Sequence, residues 1–352
     1  MLSLRLARGG RPLVQLRRLL VAGASAGTGF LLLAVLAGAV ARPEGSVPRL
    51  LWCLVPFALT VHFAVVVARA DPAARPREDL GAAGLGPGRL TLVAAISTAI
   101  ACTLGSALAL LCFLHLRGDL TGLPFDGAGA APLRADRPFP VAAGLTLLAL
   151  VPLAGAAGAA LSLRRRAALP PQQALPWGVA AFACGLAALA YAGGGTAGRL
   201  PGWALTTLGL ALAGPALAYG CGALVQLGRP GAVRLLAGRG LQEEAGRIGR
   251  PLGVLCAVAA ALLTAARTGL LTSDPLTAGA AVLAGVCAAA TLLTAAVESR
   301  QARARTREGL LELGTPAGAL RSAAVLRTAA LAAGCLPVLW GVTELAERAL
   351  TR

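Results

Sequence analysis

The chain has 352 residues, of which 57% are hydrophobic and only 13% are charged, and this composition excludes an ordinary soluble domain. The formal net charge is +17, from 32 basic and 15 acidic residues, and every basic residue is Arg. Nucleic-acid binding does not explain this charge, because the Arg residues lie mostly in short segments between apolar stretches. We therefore expect an all-α protein that crosses a membrane several times. The Ala, Gly, Leu and Arg bias is typical of a bacterium with a GC-rich genome, so we expect the plasma membrane of such a cell.

The apolar stretches predict about nine membrane spans, within a range of eight to ten, after a basic amphipathic segment at residues 1–18. Each stretch is long enough for a helix to cross a hydrocarbon core of about 30 Å. The first is longer than the apolar region of a usual signal peptide and more spans follow, so we interpret it as an uncleaved span. The predicted spans are 19–41, 49–69, 90–115, 140–162, 175–194, 203–227, 251–271, 276–297 and 321–344.

The distribution of Arg predicts the orientation of these spans. With the N-terminus in the cytoplasm, 23 of the 32 Arg residues fall in cytoplasmic segments or at cytoplasmic span ends. The positive-inside rule therefore favours a cytoplasmic N-terminus. The longest connection on the other side, residues 116–139, is rich in Gly, Pro and Asp and is too short for a folded domain. We expect it to be a plain connector, with a substrate-gating loop as the alternative.

A weak internal repeat relates the two ends of the chain at an offset of 230 residues. It places spans one to three on spans seven to nine, and the segment "RPREDLGAAGLGPGRL" (75–90) on "RTREGLLELGTPAGAL" (305–320). Both copies lie on the predicted cytoplasmic side, so the repeat is parallel. The identical pairs are Arg75 and Arg305, Arg77 and Arg307, Glu78 and Glu308, Leu80 and Leu310, Gly84 and Gly314, Gly88 and Gly318, and Leu90 and Leu320.

The second copy predicts a short helix that lies flat between a membrane exit and a membrane re-entry. Glu308 and Glu312 are four residues apart and share a helix face. Gly314 is placed to end the helix, and Pro316 cannot continue it. We interpret this segment as a docking helix for a cytoplasmic partner. The alternative is a loop whose Arg residues bind lipid phosphate.

This arrangement resembles the FtsX/MacB-type ABC transporter permeases. In that family a span is followed by one or two basic residues, a Glu, a short Leu-rich run and a Gly, and this stretch is the coupling helix that engages the ATPase. The chain departs from the family pattern in a shorter interval from Glu to Gly and in the lack of a large domain after the first span. The matching residues are Arg77, Glu78, Leu80 and Gly84 in the first copy, and Arg307, Glu308, Leu310, Leu311 and Gly314 in the second.

The resemblance implies two FtsX-like core units that form a parallel repeat. The first would cover residues 19–166 with its coupling helix at 75–89. A linker pair of spans would cover 167–228. The second unit would cover 229–352 with its coupling helix at 303–319, and the fourth span of the family's unit is absent from it. The implied function is that of the permease subunit of an ABC transporter, which couples ATP hydrolysis to transport of a lipid-like or peptide-like substrate or to transmembrane signalling.

The residues of the chain itself bear on the source of energy. It has no Lys and hence no phosphate-binding G-x-x-x-x-G-K-[ST] loop, so ATP would be hydrolysed by separate cytoplasmic subunits, and two coupling helices imply two of them. A secondary transporter is the alternative, but the predicted spans carry no Asp or Glu near their middles. The eight Cys form no C-x-x-C pair and the two His are isolated, so we expect no metal, no cofactor and no enzymatic site.

Overall fold

A computed structural model describes residues 12–44, 46–71, 87–120, 122, 124–164, 171–191, 196–227, 231–269 and 275–351. These residues form nine α-helices joined by turns, and no strand occurs among them. The helices are α1 (Pro12–Ala41), α2 (Ser46–Ala70), α3 (Pro87–Arg117), α4 (Val141–Arg164), α5 (Pro171–Tyr191), α6 (Thr196–Val225), α7 (Ala232–Arg267), α8 (Pro275–Glu312) and α9 (Ala317–Thr351).

Eight of these helices are long and apolar enough to cross a membrane, and α5 has a shorter apolar stretch, Leu175–Tyr191. The prediction of an all-α, polytopic membrane protein is confirmed at this level. The parallel repeat, the FtsX-like units and the side of the membrane on which each end lies stay predictions.

Three helices are much longer than the apolar stretches that predicted them. Helix α7 has 36 residues and α8 has 38, lengths of about 54 and 57 Å at 1.5 Å per residue, against about 30 Å of hydrocarbon. Helix α9 has 35 residues. The polar flanks of α7 and α8 are rich in Ala, Leu, Arg, Glu and Gln, which favour helix in water, and the four glycines in the flank of α7 do not interrupt it. Apolar character therefore predicted the spans but underestimated the helices.

The chain divides into two compact units. The first contains Met1–Arg166 and Asp274–Cys287, and the second contains Ala167–Ser273 and Ala288–Arg352. In the first unit, α1 packs against α2, α3 and α4. Its core includes Leu33, Phe113 and Leu148, each less than 5% exposed.

Small residues bring the helices of the first unit close together, as the runs "GSALA" and "GAAGAA" predict. A Cβ added at Gly105 would overlap Ser25 and the Ala22 carbonyl of α1. A Cβ added at Gly155 would lie 3.2 Å from the sulfur of Cys102. These sites have no room for a larger side chain without displacement of the neighbouring helix.

The connection between α3 and α4 folds back on the end of α3 and is more ordered than a plain connector. The Gly129 N–H donates to the Leu116 carbonyl at 2.8 Å, and the imidazole Nε2 of His115 lies 3.0 Å from the Pro124 carbonyl oxygen. Leu133 is 3% exposed and packs into the core of the first unit. The connection thus contributes a core residue as well as its turns.

Glycine contacts hold α5, α6 and α7 together in the second unit. A Cβ added at Gly185 would lie 2.5 Å from the Thr206 hydroxyl, and one at Gly222 would lie 2.7 Å from the Gly238 carbonyl. Helix α9 contacts α5, α6 and α7. The two helices that the sequence predicts as a linker pair, α5 and α6, therefore pack directly on α7 and α9.

Candidate functional site

The first copy of the predicted coupling motif falls largely outside the described residues. Arg77, Glu78, Leu80 and Gly84 all lie there. Description resumes at Pro87, the first residue of α3, where Gly88 and Arg89 are exposed. The site is therefore built from the second copy alone.

The second copy forms the last two turns of α8 and not a separate flat helix. Helix α8 runs without interruption from Pro275 to Glu312. The weakest helix former between the predicted span end and Glu312 is Gly309, and one glycine costs a helix only about 1 kcal/mol. The expectation of a short helix lying between two spans is therefore wrong for this copy. We call residues 307–314 the α8 tip.

The end of α8 has the geometry that Gly314 predicts. Gly314 has φ 87°, in the left-handed region, where a side chain would be strained. The Gly314 N–H donates to the Leu311 carbonyl and the Thr315 N–H donates to the Leu310 carbonyl, both at 3.0 Å. This pair of bonds is the Schellman motif, which satisfies the last carbonyls and reverses the chain. After Pro316 the chain enters α9.

The α8 tip exposes a mixed charged and apolar surface. Arg307, Glu308 and Gly314 are exposed and Leu310 is partly buried. Leu311 is 40% exposed and Leu313 is 83% exposed. An exposed Leu pair between charged groups is a surface suited to a partner, although two such residues alone are not unusual on a protein.

An ion pair fixes the polar part of α8 to the polar part of α7. The Arg303 guanidinium pairs with the Glu244 carboxylate and also donates to the Ser299 hydroxyl at 2.7 Å. Glu244 is 9% exposed and Ser299 is 1% exposed, whereas the side chain of Arg303 is 36% exposed. The pair lies one to two turns beyond the predicted spans, so it positions the tip from outside the apolar region.

A second arginine connects α9 to the same part of α7. Arg327 donates from Nη2 to the Leu236 carbonyl at 2.8 Å. Its guanidinium rests against Gly240, where an added Cβ would lie 2.5 Å from the guanidinium carbon. Residues 232–250 of α7, which we call the α7 extension, thus receive an arginine from each of the two helices that meet at the α8 tip.

The opposite end of the second unit carries another charged contact. Arg267 of α7 donates to Glu344 and to Glu347 of α9, each at 3.0 Å, and lies 5.1 Å from the centre of the Trp340 ring. All three charged side chains are about one third exposed. Both ends of α7 are therefore joined to neighbouring helices by charged groups.

Sequence reasoning missed Glu244, Arg303, Ser299 and the contact between Arg327 and Gly240. The one available signal was the rarity of acidic residues, since "QEEAGR" brings two of the 15 together between basic residues. No cluster of three or more His, Cys, Asp or Glu suited to a metal ion occurs in the part of the chain that the structure describes.

No protein-family model, curated protein or solved structure matches the chain.

Proposed function

We propose that the chain is the membrane subunit of an ABC-type transporter and that the α8 tip docks a separate cytoplasmic ATPase. The observation that carries this proposal is the α8 tip itself, a capped helix end that exposes Arg307, Glu308 and Leu311. The Glu244–Arg303 pair joins α8, one turn before the tip, to α7, which continues into the apolar bundle. A force applied at the tip by a partner would reach the spans through continuous helix.

The pattern of charge supports a cytoplasmic location for this surface. The α7 extension and the polar part of α8 carry many of the Arg residues on which the predicted orientation rests. Soluble ATPase subunits are available only on that side. Residues 75–90 would supply the second docking segment, so two ATPase subunits are expected for each chain. A lipid-like or peptide-like molecule, or a signal passed across the membrane, is the expected cargo.

Purification of the intact chain from its native membranes tests this proposal. The full chain carries an affinity tag at its C-terminus and is extracted in mild detergent. We expect a P-loop ATPase to co-purify and the complex to hydrolyse ATP. The chain stripped of that subunit by high salt is expected to hydrolyse none, because it contains no phosphate-binding loop.

Two results would contradict the proposal. One is ATP hydrolysis that stays with the chain after every other subunit has been removed. The other is the absence of any P-loop ATPase from the wild-type complex under conditions that keep the native lipids bound.

A further inference from the structure

A cleft at the end of the first unit, between α3 and α4, has the features of a binding site. It lies where α3 ends and α4 begins, and its volume is about 420 Å³. The chain that closes it is the folded connection between these helices. In the predicted orientation this end lies on the side of the membrane opposite the cytoplasm.

A buried arginine lines the cleft without full use of its donors. Arg117 is 4% exposed and lies 5.3 Å from the centre of the Phe139 ring. Its Nη2 donates to the Arg137 carbonyl. Its Nε is buried and forms an ion pair with the Asp119 carboxylate at 3.3 Å, but this contact lacks hydrogen-bond geometry. A buried donor without a well-aligned acceptor is costly, and an anion in the cleft would supply one.

The charged groups around the cleft are balanced in number. Arg117 and Arg137 contribute two positive charges, and Asp119 and Asp136 contribute two negative charges. Asp136 and Arg137 are exposed, and the Asp119 side chain is 45% exposed. A simple anion would gain from the arginines but would meet two carboxylates. A zwitterion matches both signs.

Apolar residues continue from the cleft along both helices. Leu114 lines the cleft on α3, and Leu111, one turn earlier on the same face, is 56% exposed. Val141 lines it on α4, and Leu145, one turn later, is 50% exposed. The polar end of the cleft therefore leads to two apolar stripes that run toward the middle of the spans.

We infer that this cleft binds a zwitterionic phospholipid with a phosphoethanolamine headgroup. The phosphate accepts hydrogen bonds from the Arg117 guanidinium, whose planar donor group suits a phosphate oxygen pair. The amine lies toward Asp119 and Asp136. The acyl chains lie against the apolar stripes of α3 and α4. This site is independent of the ATPase-docking proposal and uses residues of the first unit only.

Binding of a short-chain phosphatidylethanolamine to the purified, delipidated full chain tests the inference. Arg117→Gln removes the charged donors, and we expect at least about tenfold weaker binding, since a hydrogen bond to a charged group contributes on that scale. Arg42→Gln is the matched control, because Arg42 is an exposed arginine at the same end of the first unit. Its affinity for the lipid should equal that of the wild type.

A second variant covers the case in which Arg117→Gln does not fold. Val141→Trp fills the apolar side of the cleft at a residue that is 49% exposed, and Val179→Trp places the same group at a residue that is 54% exposed on α5. We expect only Val141→Trp to abolish binding. Retention of wild-type affinity by Val141→Trp would overturn the inference, as would retention by a folded Arg117→Gln.

Two further ligands show whether the cleft recognises a lipid and whether it recognises the amine of the headgroup. Free phosphoethanolamine should bind at least about tenfold more weakly than the lipid, because it lacks the chains that cover the apolar stripes. Equal binding would show a soluble phosphate site and overturn the lipid assignment. Short-chain phosphatidylglycerol should also bind more weakly, because it lacks the amine. Equal binding by this lipid would overturn the pairing of the amine with the aspartates.

Discussion

Helices α6 and α7 approach each other backbone to backbone, whereas α7 and α8 meet through charged side chains. At Gly249 an added Cβ would overlap the backbone of Pro215, and at Gly253 it would lie 2.7 Å from the Leu210 carbonyl. The α7–α8 contact instead includes the Arg303–Glu244 pair, which lies outside the predicted spans and is partly solvated. Backbone contact fixes the distance between helices, but an ion pair between flexible side chains tolerates small shifts of the helices. The difference makes the α6–α7 contact the rigid one in the second unit and the α7–α8 ion pair the adjustable one.

The largest effect is expected at the glycine contact. Gly249→Ala forces α6 and α7 apart and should lower the free energy of unfolding by about 1–3 kcal/mol, the usual cost of overpacking. Gly246→Ala is the control, since Gly246 lies three residues away with open space around it and should gain slightly from better helix propensity. Thermal unfolding of both variants in detergent measures the difference. Equal stability of the two variants would show that the close approach of α6 and α7 is not required.

A smaller effect is expected at the ion pair. Glu244→Gln leaves the Arg303 guanidinium without its carboxylate and should cost about 1–2 kcal/mol. This is less than the loss for a fully buried pair, because the side chain of Arg303 is 36% exposed. The exposed neighbour Glu243→Gln should change stability by less than about 0.5 kcal/mol. The double exchange Glu244→Arg with Arg303→Glu should restore part of the loss, and a double exchange no better than the sum of its single variants would refute the pairing.

A substitution at Gly314, which ends α8, should change the stability by a similar or smaller amount, and its effect should stay local to the end of the helix. Gly314→Ala places a side chain at φ 87° and should cost about 1 kcal/mol. Hydrogen exchange of the amides at 313–315 should become faster, because their bonds form the cap. Gly309→Ala, inside the helix and in open space, should slow exchange at the α8 tip. Faster exchange in both variants would mean that the cap geometry does not determine the local stability of the α8 tip.

The sequence predicts the helices of this chain better than it predicts their ends. Each of the nine apolar runs coincides with a described helix, and eight of these helices are long and apolar enough to cross a membrane, because lipid and core packing both select the same residues. They did not reveal that α7 begins at Ala232 or that α8 continues to Glu312, since amphiphilic flanks are equally helical in water. Gly314 followed by Pro316 did identify the end of α8, because that signal depends on local backbone geometry alone.

The candidate sites also show that local patterns in the sequence identify single residues but not the contacts made by packing. Arg307, Glu308 and Leu311 could be named in advance from a local pattern, and the structure describes all three as exposed. The partners Glu244 and Arg303 could not be named, because their pairing depends on how α7 and α8 pack. The burial of Arg117 could not be predicted either. It depends on the contact with Phe139 and on the path of the α3–α4 connection. That connection has left-handed backbone at Phe125 and Arg134, where glycine is the usual residue.

The association of the ATPase with variants of the α8 tip tests the central claim most directly. Glu308→Arg lies at an exposed residue, so the free energy of unfolding should change by less than about 0.5 kcal/mol. Glu44→Arg makes the same charge reversal at an exposed residue of the first unit, outside the tip. The measured quantity is the amount of ATPase that co-purifies with each full-length variant relative to the wild type. The account predicts that Glu308→Arg alone removes about half of the ATPase, because residues 75–90 would keep the second docking segment. Adding Glu78→Arg should give at least about a tenfold loss, as for a lost interfacial charge pair, and Glu44→Arg should cause none. Undiminished co-purification with Glu308→Arg, in a variant that also carries Leu311→Asp, would contradict the docking role of the α8 tip.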